Sequence, residues 1–314
     1  DYLVNRRVLV TGAGGSIGSE LCQQLARFNP AELIMLDRDE SALHEVQLSI
    51  HGRALLDTPQ TVLADLRDEA TINHIFDTRK PEVVFHAAAL KHLPLLERYP
   101  LEAYQTNVLG TLTLLNAAQR TGVGVFVNIS TDKAANPISV LGYSKRIAER
   151  VTAAVGQTAT SGKYMSVRFG NVLGSRGSVL MSFRDQIAKG GPLTVTHRGV
   201  TRYFMTISEA VQLVIQAGAI GSSGEALVLD MGTPVSIYDV AKQLVANSGK
   251  PVEIEIVGLR AGEKVHEELF GEGESDTRPQ HPLISHVPVL PVDLGLLVPS
   301  PTDARETMLR IIAN

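Results

Sequence analysis

An open, doubly wound α/β fold built on a parallel sheet is predicted by three observations on this 314-residue chain. A glycine-rich stretch joins an apolar run to a helical one near the start. Short β-branched runs then alternate with segments of helical periodicity. Acidic or small residues stand where those runs end, which is where open α/β sheets bind ligands. Hydrophobic content of 44%, 20% charged residues and 27 glycines describe an ordinary globular composition, and the length predicts about two domains. A net charge of -4 gives no broad positive field, which excludes nucleic acid as a main partner. The single cysteine, Cys22, cannot close an internal disulfide, and a reducing compartment is expected. No apolar run approaches the ~18 residues of a membrane helix, and no signal peptide is evident. Because the first residue is Asp1, the chain is expected to be a piece of a longer protein.

Arg7 to Val10 reads as a strand, and Thr11-Gly12-Ala13-Gly14-Gly15-Ser16-Ile17-Gly18 follows it before a helix carrying Leu21, Leu25 and Phe28. Gly12 permits a tight turn, Gly15 lets backbone approach a pyrophosphate, and Gly18 packs the helix on the sheet. The helix N-terminus offers unpaired N–H groups to phosphates. The next strand, Leu33 to Leu36, ends in Asp37, where a carboxylate can accept both adenosine ribose hydroxyls; together these features predict a dinucleotide site. Asp37 favours NAD, while Arg38 could swing onto a 2′-phosphate and leaves NADP open. Val62 to Leu66 is a third strand, carrying Asp65 and Leu66, with a helix around Ile72, Ile75 and Phe76 beyond it. Val83 to His86 is the fourth and runs into Ala87, Ala88 and Ala89, small enough for a ligand to lie against the backbone. Lys91 and His92 come next. One long helix is expected from Leu101 to Arg120, with Leu109, Leu112, Leu115 and Ala118 as its stripe.

Val123 to Ile129 is the fifth strand, buried on both faces. At its end Ser130-Thr131-Asp132-Lys133 crowds ionisable groups together, and Lys145 lies on the helix from Leu141 to Val155. Tyr164 to Phe169 and Ala226 to Asp230 supply two further strands. From Gly170 a Gly- and Arg-rich stretch leaves the sheet. Leu193 to Thr196 and Tyr203 to Thr206 read as short strands, and Ser208 is expected to cap a helix through Val211, Val214 and Ile215. Ser236 is expected to cap Ile237 to Ala246, and Val252 to Val257 alternates like a half-exposed strand. Arg260 to Lys264 should open a last helix around Val265, Leu269 and Phe270, and residues 271–286 read as loop. The sum is a Rossmann-type doubly wound parallel sheet in residues 1–170, rejoined by 207–235, and a smaller C-terminal α/β substrate-binding lobe from 171–206 and 236–290. Residues 291–314 form a C-terminal tail. His86 reads as a satisfied core histidine; His281 and His286 lack the company a metal site needs, and no metal is expected.

With these motifs assembled, the chain resembles the extended short-chain dehydrogenase/reductases, and within them the CapD-like nucleotide-sugar 4,6-dehydratases of bacterial capsule, O-antigen and glycan biosynthesis. The stretches that carry the resemblance are Thr11–Gly18, His86–His92, Asn107–Thr111, Ser130–Pro137, Arg168–Gly177, Arg202–Thr206 and Leu259–His266. It implies UDP-N-acetylglucosamine as substrate and a nicotinamide cofactor that takes hydride from sugar carbon 4 and returns it to carbon 6 after loss of water. It further implies that Asp132 protonates the departing 6-hydroxyl, that Lys133 removes the carbon-5 proton, that Thr131 hydrogen-bonds the sugar, and that Lys145 holds the nicotinamide ribose. Asn107 joins the cofactor residues on the same ground. Lys91, His92, Asn171, Arg176, Ser178, Val179, Thr194, Arg202, Arg260 and Glu263 are the implied substrate residues. A guanidinium suits a diphosphate because it donates paired hydrogen bonds.

One departure stands out. The superfamily's Tyr-x-x-x-Lys pair would place tyrosine at position 141, and this chain has Leu141, with Tyr143 two residues out of register. The long-chain branch of these dehydratases is similar in lacking that tyrosine, which implies a cytoplasmic domain of an inner-membrane protein, attached through segments outside this chain, and a homo-oligomer. A 4-epimerase on the same substrate class and a catalytically silent nucleotide sensor are the rival readings. Asp132-Lys133 favours dehydration, since an epimerase has no water to expel.

Overall fold

Seven parallel strands and one antiparallel edge strand form the central sheet of the computed structural model, which describes residues 2–314. The first half alternates β1 (Arg7–Thr11), α1 (Ser16–Ala26), β2 (Glu32–Asp37), α2 (Glu40–His51), β3 (Thr61–Leu63), α3 (Glu69–Arg79) and β4 (Val83–His86). Then come α4 (Leu93–Arg98), α5 (Pro100–Ala103), a π-helical stretch at Tyr104–Leu109, α6 (Gly110–Thr121), β5 (Val125–Ile129), α7 (Val140–Thr158) and β6 (Lys163–Arg168). The second half holds β7 (Asn171–Leu173), α8 (Val179–Ala188), β8 (Leu193–Val195), β9 (Thr201–Arg202), β10 (Phe204–Thr206), α9 (Ile207–Ile220) and β11 (Glu225–Leu229). It closes with β12 (Val235–Ser236), α10 (Ile237–Ser248), β13 (Ile254–Ile256), β14 (Ile284–Pro288) and α11 (Ala304–Ala313).

The sheet order is β14-β11-β6-β5-β4-β1-β2-β3. After β1 the chain builds one side of the sheet and returns at β4 to build the other, so a crevice opens between the carboxyl ends of β1 and β4. Strand residues alternate between two faces. Leu9, Ile34, Val84 and Phe126 face a core shared with α3, α6 and α7, whereas Val8, Val10, Met35, Phe85 and Val127 face one shared with α1 and α9. A separate small core of Phe183, Ile187, Leu193, Val195, Ile237 and Val252 lies beneath α8 and α10.

Six expectations are corrected. The long helix over 101–120 is broken into α5, the π-helical stretch and α6. Gly110 sits against Leu66, whose Cδ1 would lie 1.9 Å from an added Cβ, so this helix approaches the third strand's exit more closely than a side chain permits. The third strand itself ends at Leu63, and Asp65 and Leu66 lie beyond it. Thr206, not Ser208, caps α9: its hydroxyl accepts from the Glu209 N–H while the Glu209 carboxylate accepts from the Thr206 N–H, a reciprocal capping box. No helix forms over 260–270, because the Val265 and Lys264 carbonyls are taken by Arg202 and by the Thr201 N–H instead of by a helical ladder. Finally, 284–288 is the antiparallel edge strand on β11, and the expected tail carries α11, whose Met308 and Ile311 pack against the α7 face of the core. Among the described residues no helix is long and apolar enough to cross a membrane.

Candidate active site

The glycine turn has the geometry its residues predict. Gly12 has φ +66°, and a Cβ there would stand 2.6 Å from Ala88 Cα, so β1's exit lies directly against β4's. A Cβ on Gly18 would stand 1.9 Å from the Gly12 carbonyl oxygen, so α1 packs onto the turn. Gly15, the N-cap, contributes no side-chain cap and the first turn holds no acidic residue. The N–H groups of Ser16, Ile17 and Gly18 therefore face a cavity with the partial positive charge of a helix start. Gly14 has a different part: its N–H donates to Asp37 Oδ2 at 2.9 Å and it packs on Ala42, lining neither of the cavities described here.

A cavity of about 150 Å³ runs over this crevice, lined by Gly12, Gly15, Asp37, Arg38, Asp65, Leu66 and Ala87 to Ala89 among others. Arg38 is drawn toward Asp65, at 3.7 Å, and Arg67 grips the same carboxylate at 2.8 Å. The Arg67 hydrogen bond holds the Asp65 carboxyl below its usual range. Arg67 had no signal in the sequence beyond its charge.

A second cavity of about 730 Å³ joins the helix start to the end of β5, lined by Ser16, Ile17, Gly18, Lys91, His92, Ser130, Thr131, Lys133, Leu141, Lys145, Asn171, Arg176, Ser178 and Val179 among others. Thr131 and Lys133 thus stand on the same wall system as the glycine turn. Asp132 does not: it is fully buried, its Oδ1 accepting from the Thr131 hydroxyl at 2.8 Å and from Lys133 Nζ at 3.0 Å, its Oδ2 without a partner. Asp132 communicates with the cavity through those two neighbours. Burial alone would lower the Lys133 ammonium, but Asp132 and Glu267 hold it above the ordinary lysine value. Lys145 donates to the Ile129 carbonyl at 2.6 Å, and burial, only partly offset by Glu149, brings its ammonium down to about 8. Leu141 lines the cavity one helical turn before it, whereas Tyr143 lies in the apolar core.

Supporting groups hold this wall. His86 bonds Thr11 Oγ1 through Nδ1 at 2.7 Å and Thr111 Oγ1 through Nε2 at 2.9 Å. Thr111 spends its proton on the Asn107 carbonyl, so His86 Nε2 carries the hydrogen and Nδ1 accepts. Burial pushes this histidine down to about 3, and it stays neutral as a core residue should. Asn107, on the π-helical stretch, gives its whole amide to Leu90 and Ser144: Oδ1 accepts from the Leu90 N–H, and Nδ2 donates to the Leu90 carbonyl and Ser144 Oγ. It pins the loop after β4 rather than lining a cavity.

The implied substrate residues divide. Lys91, His92, Asn171, Ser178 and Val179 line the large cavity. Arg176 does too, but its N–H donates to Ser16 Oγ and its guanidinium to the Gly14 carbonyl, so it roofs the glycine turn. Arg202 is committed elsewhere: its terminal nitrogens donate to the carbonyls of Thr201, Val265 and Lys264 and to Glu263 Oε1 at 3.1 Å. Glu263 in turn accepts from Thr196 Oγ1 and the Arg260 N–H. Thr194 is clamped by Gln186. Thr194, Arg202, Arg260 and Glu263 line neither cavity, and the first, second and fourth hold neighbouring loops together.

Sequence reasoning missed two features. Glu267 sits 3.3 Å from Lys133 Nζ, its side chain 3% exposed. Behind β5 and β6, Arg168 is fully buried and grips Glu149 and Glu274, with Arg146 on both carboxylates and Ser130 Oγ donating to Glu149 at 2.6 Å. Burial alone would raise both carboxyls, but the guanidiniums hold Glu149 below its usual range and Glu274 at about 2.

Residues 8–289 match the family described as polysaccharide biosynthesis protein. CapD, a capsular polysaccharide biosynthesis protein of Staphylococcus aureus, is 48% identical over 278 residues, which is 87% of this chain and 46% of CapD. The chain thus spans about half the length of that relative. A UDP-glucose 4-epimerase of Rickettsia akari is 34% identical over 276 residues, 85% of this chain and 78% of the relative. Among solved structures, Pen from Bacillus thuringiensis is similar with a TM-score of 0.84 at 30% identity, covering 93% of this chain and 92% of its own. The chain belongs to the polysaccharide biosynthesis protein family and has the Rossmann-type fold of the extended short-chain dehydrogenase/reductases.

Proposed function

We propose that the chain is a nucleotide-sugar 4,6-dehydratase acting on UDP-N-acetylglucosamine with a bound NAD. The observation that carries this reading is the continuity of one cavity from the open start of α1 to Thr131, Lys133 and Lys145. The residues of the crevice fit a dinucleotide: a Cβ at Gly12 would fill the cradle, the N–H groups of Ser16 to Gly18 suit a pyrophosphate, and Asp37 suits a ribose diol. When bound, the nicotinamide would accept a hydride from carbon 4 and return it to carbon 6.

The chain's own residues do the rest. Lys145, with its ammonium near 8, is the wall group able to take the 4-hydroxyl proton where Leu141 cannot. Once carbon 4 is a ketone, the carbon-5 proton is acidic and Lys133 takes it. Asp132 supplies the proton that leaves with the 6-hydroxyl, passing it through the Thr131 hydroxyl because its own carboxyl is enclosed. Resting Lys133 and Asp132 form an ammonium–carboxylate pair 3.0 Å apart; moving one proton across that gap yields the amine and acid that elimination requires, and elimination restores the pair. Lys133 then gives a proton to carbon 5 as carbon 6 takes the hydride, and the proton Lys145 took from the 4-hydroxyl replaces it through solvent.

The Rickettsia relative keeps a 4-epimerase in view as the rival, because it would use the same cradle. Incubation with UDP-N-acetylglucosamine should give a 4-keto-6-deoxy product by NMR; a 4-epimer alone would favour the rival. Tyr143→Phe should leave turnover within about 2-fold, since that ring packs in the core; a severe loss would place its hydroxyl in the chemistry. Calorimetric titration should show tighter binding of NAD than NADP, because the Asp37 carboxylate suits a ribose diol and Asp65 draws Arg38 aside. Equal affinity, or NADP preferred, would contradict this.

A further inference from the structure

We propose that Glu267 is the positioning residue of Lys133: its carboxylate holds the amine at the cavity wall and stabilises the ammonium formed when Lys133 takes up a proton. The inference rests on the dehydratase reading for its chemical purpose, but the pairing stands on geometry. Glu267 belongs to the stretch after Arg260 that forms no helix, and it reaches Lys133 from a segment more than a hundred residues beyond Asp132, at 3.3 Å against 3.0 Å.

Its surroundings separate it from the other buried and half-buried carboxylates except Asp132, whose Oδ2 also lacks a partner but which the elimination already uses as its acid. Glu149 and Glu274 have both oxygens bound by Arg168 and Arg146, and Glu263 divides its oxygens among Arg202, Thr196 and the Arg260 N–H. Glu267 has one oxygen on Lys133 and the other buried with no hydrogen-bond partner. A buried carboxylate left half satisfied costs stability. Such a cost beside a cavity-lining lysine points to function more than to structure. The remaining charges that face the Lys133 ammonium are Asp132 on its own turn and Arg202 on β9, the latter opposing it.

The chemistry is that of a base oriented by a third group. The carbon-5 C–H bond breaks and its electron pair stays with the ketone-bearing fragment, while an N–H bond forms on Lys133. The carbon-6 C–O bond breaks as the carbon-5 electron pair forms a double bond to carbon 6, and the oxygen leaves as water with the proton that Asp132 passes through Thr131. Glu267 remains ionised throughout and binds the ammonium that Lys133 becomes, so it strengthens the base without giving up a proton.

Competitive labelling of lysines with trace acetic anhydride across pH, read by peptide mass spectrometry, measures the coupling without any substrate. In Glu267→Gln the Lys133 titration should fall by about one pH unit or more, the scale of losing one close opposite charge, while Lys145 stays in place. The alkaline limb of kcat should move down with it. An unchanged Lys133 titration overturns the inference, whatever happens to kcat. If Glu267→Gln does not fold, Glu267→Asp, which draws the charge back by one methylene, should shift the same titration in the same direction by less; no shift there overturns it equally. Loss of dehydration by the unaltered protein would remove the proposed reaction and leave the labelling result standing, so the two failures are distinguishable.

Discussion

Replacing Lys133 with methionine is expected to lower turnover of UDP-N-acetylglucosamine by ~10²- to 10⁴-fold, the usual contribution of a general base. Methionine keeps the length and the apolar stem but offers no amine to the carbon-5 proton. It also strips Asp132 and Glu267 of the ammonium that both contact, so some loss of stability should accompany the loss of rate. The informative readout is solvent deuterium at carbon 5 of the product. The unaltered protein should incorporate it; the variant's residual product should form slowly, with UDP binding by calorimetry held within about 3-fold. Asp132→Asn should show a loss of the same order, because Thr131 would then have no acid behind it. Near-normal product formation by either variant would remove the residue it replaces from the chemistry and contradict the paired mechanism.

Arg168→Met should destabilise the fold by about 3–5 kcal/mol, because it strips Glu149 and Glu274 of the charge that makes their burial tolerable. Urea unfolding would measure it. The consequence reaches the site, since Glu149 also takes the Ser130 hydroxyl and lies near Lys145. Replacing Glu149 and Arg168 together by apolar residues of similar volume should recover part of the loss, as buried pairs exchanged whole commonly do. The same network sets an acid limit. Glu274 has its folded carboxyl at about 2 against an ordinary 4.5, so its stabilising contribution is complete above 4.5 and is lost as pH falls toward 2. A loss under about 1 kcal/mol in Arg168→Met, or no loss of stability over that acid range, would contradict this account.

The parts of the fold legible in the sequence are those where one local pattern carries the whole instruction. The glycine turn between two apolar runs is set by backbone sterics at Gly12 and Gly18, and Asp37 ends its strand in plain view. The stretch 260–270 was misread because its backbone partners are on β9 and on Arg202, some 60 residues earlier. The edge strand at 284–288 was misread as loop for a related reason: its ladder lies on β11, and nothing local announces the pairing. For α11, a capping aspartate and the Ala304, Met308 and Ile311 spacing were present, but the charged residues between them masked the stripe. At the candidate site, residue type singled out Thr131, Asp132, Lys133 and Lys145 as expectations, yet could not say that Asp132 is enclosed. Nor could type show that the Arg202 guanidinium is spent on backbone carbonyls, or that Glu267 folds back onto Lys133. Those three facts depend on which groups meet between segments far apart in the chain, and a single sequence carries no spacing rule for them.

The most direct measurement is NMR of the product formed from UDP-N-acetylglucosamine deuterated at sugar carbon 4. The account predicts a 4-keto-6-deoxy sugar nucleotide whose new carbon-6 methyl group carries that deuterium. A 4-epimer that retains deuterium at carbon 4, or substrate bound and recovered unchanged, would contradict it.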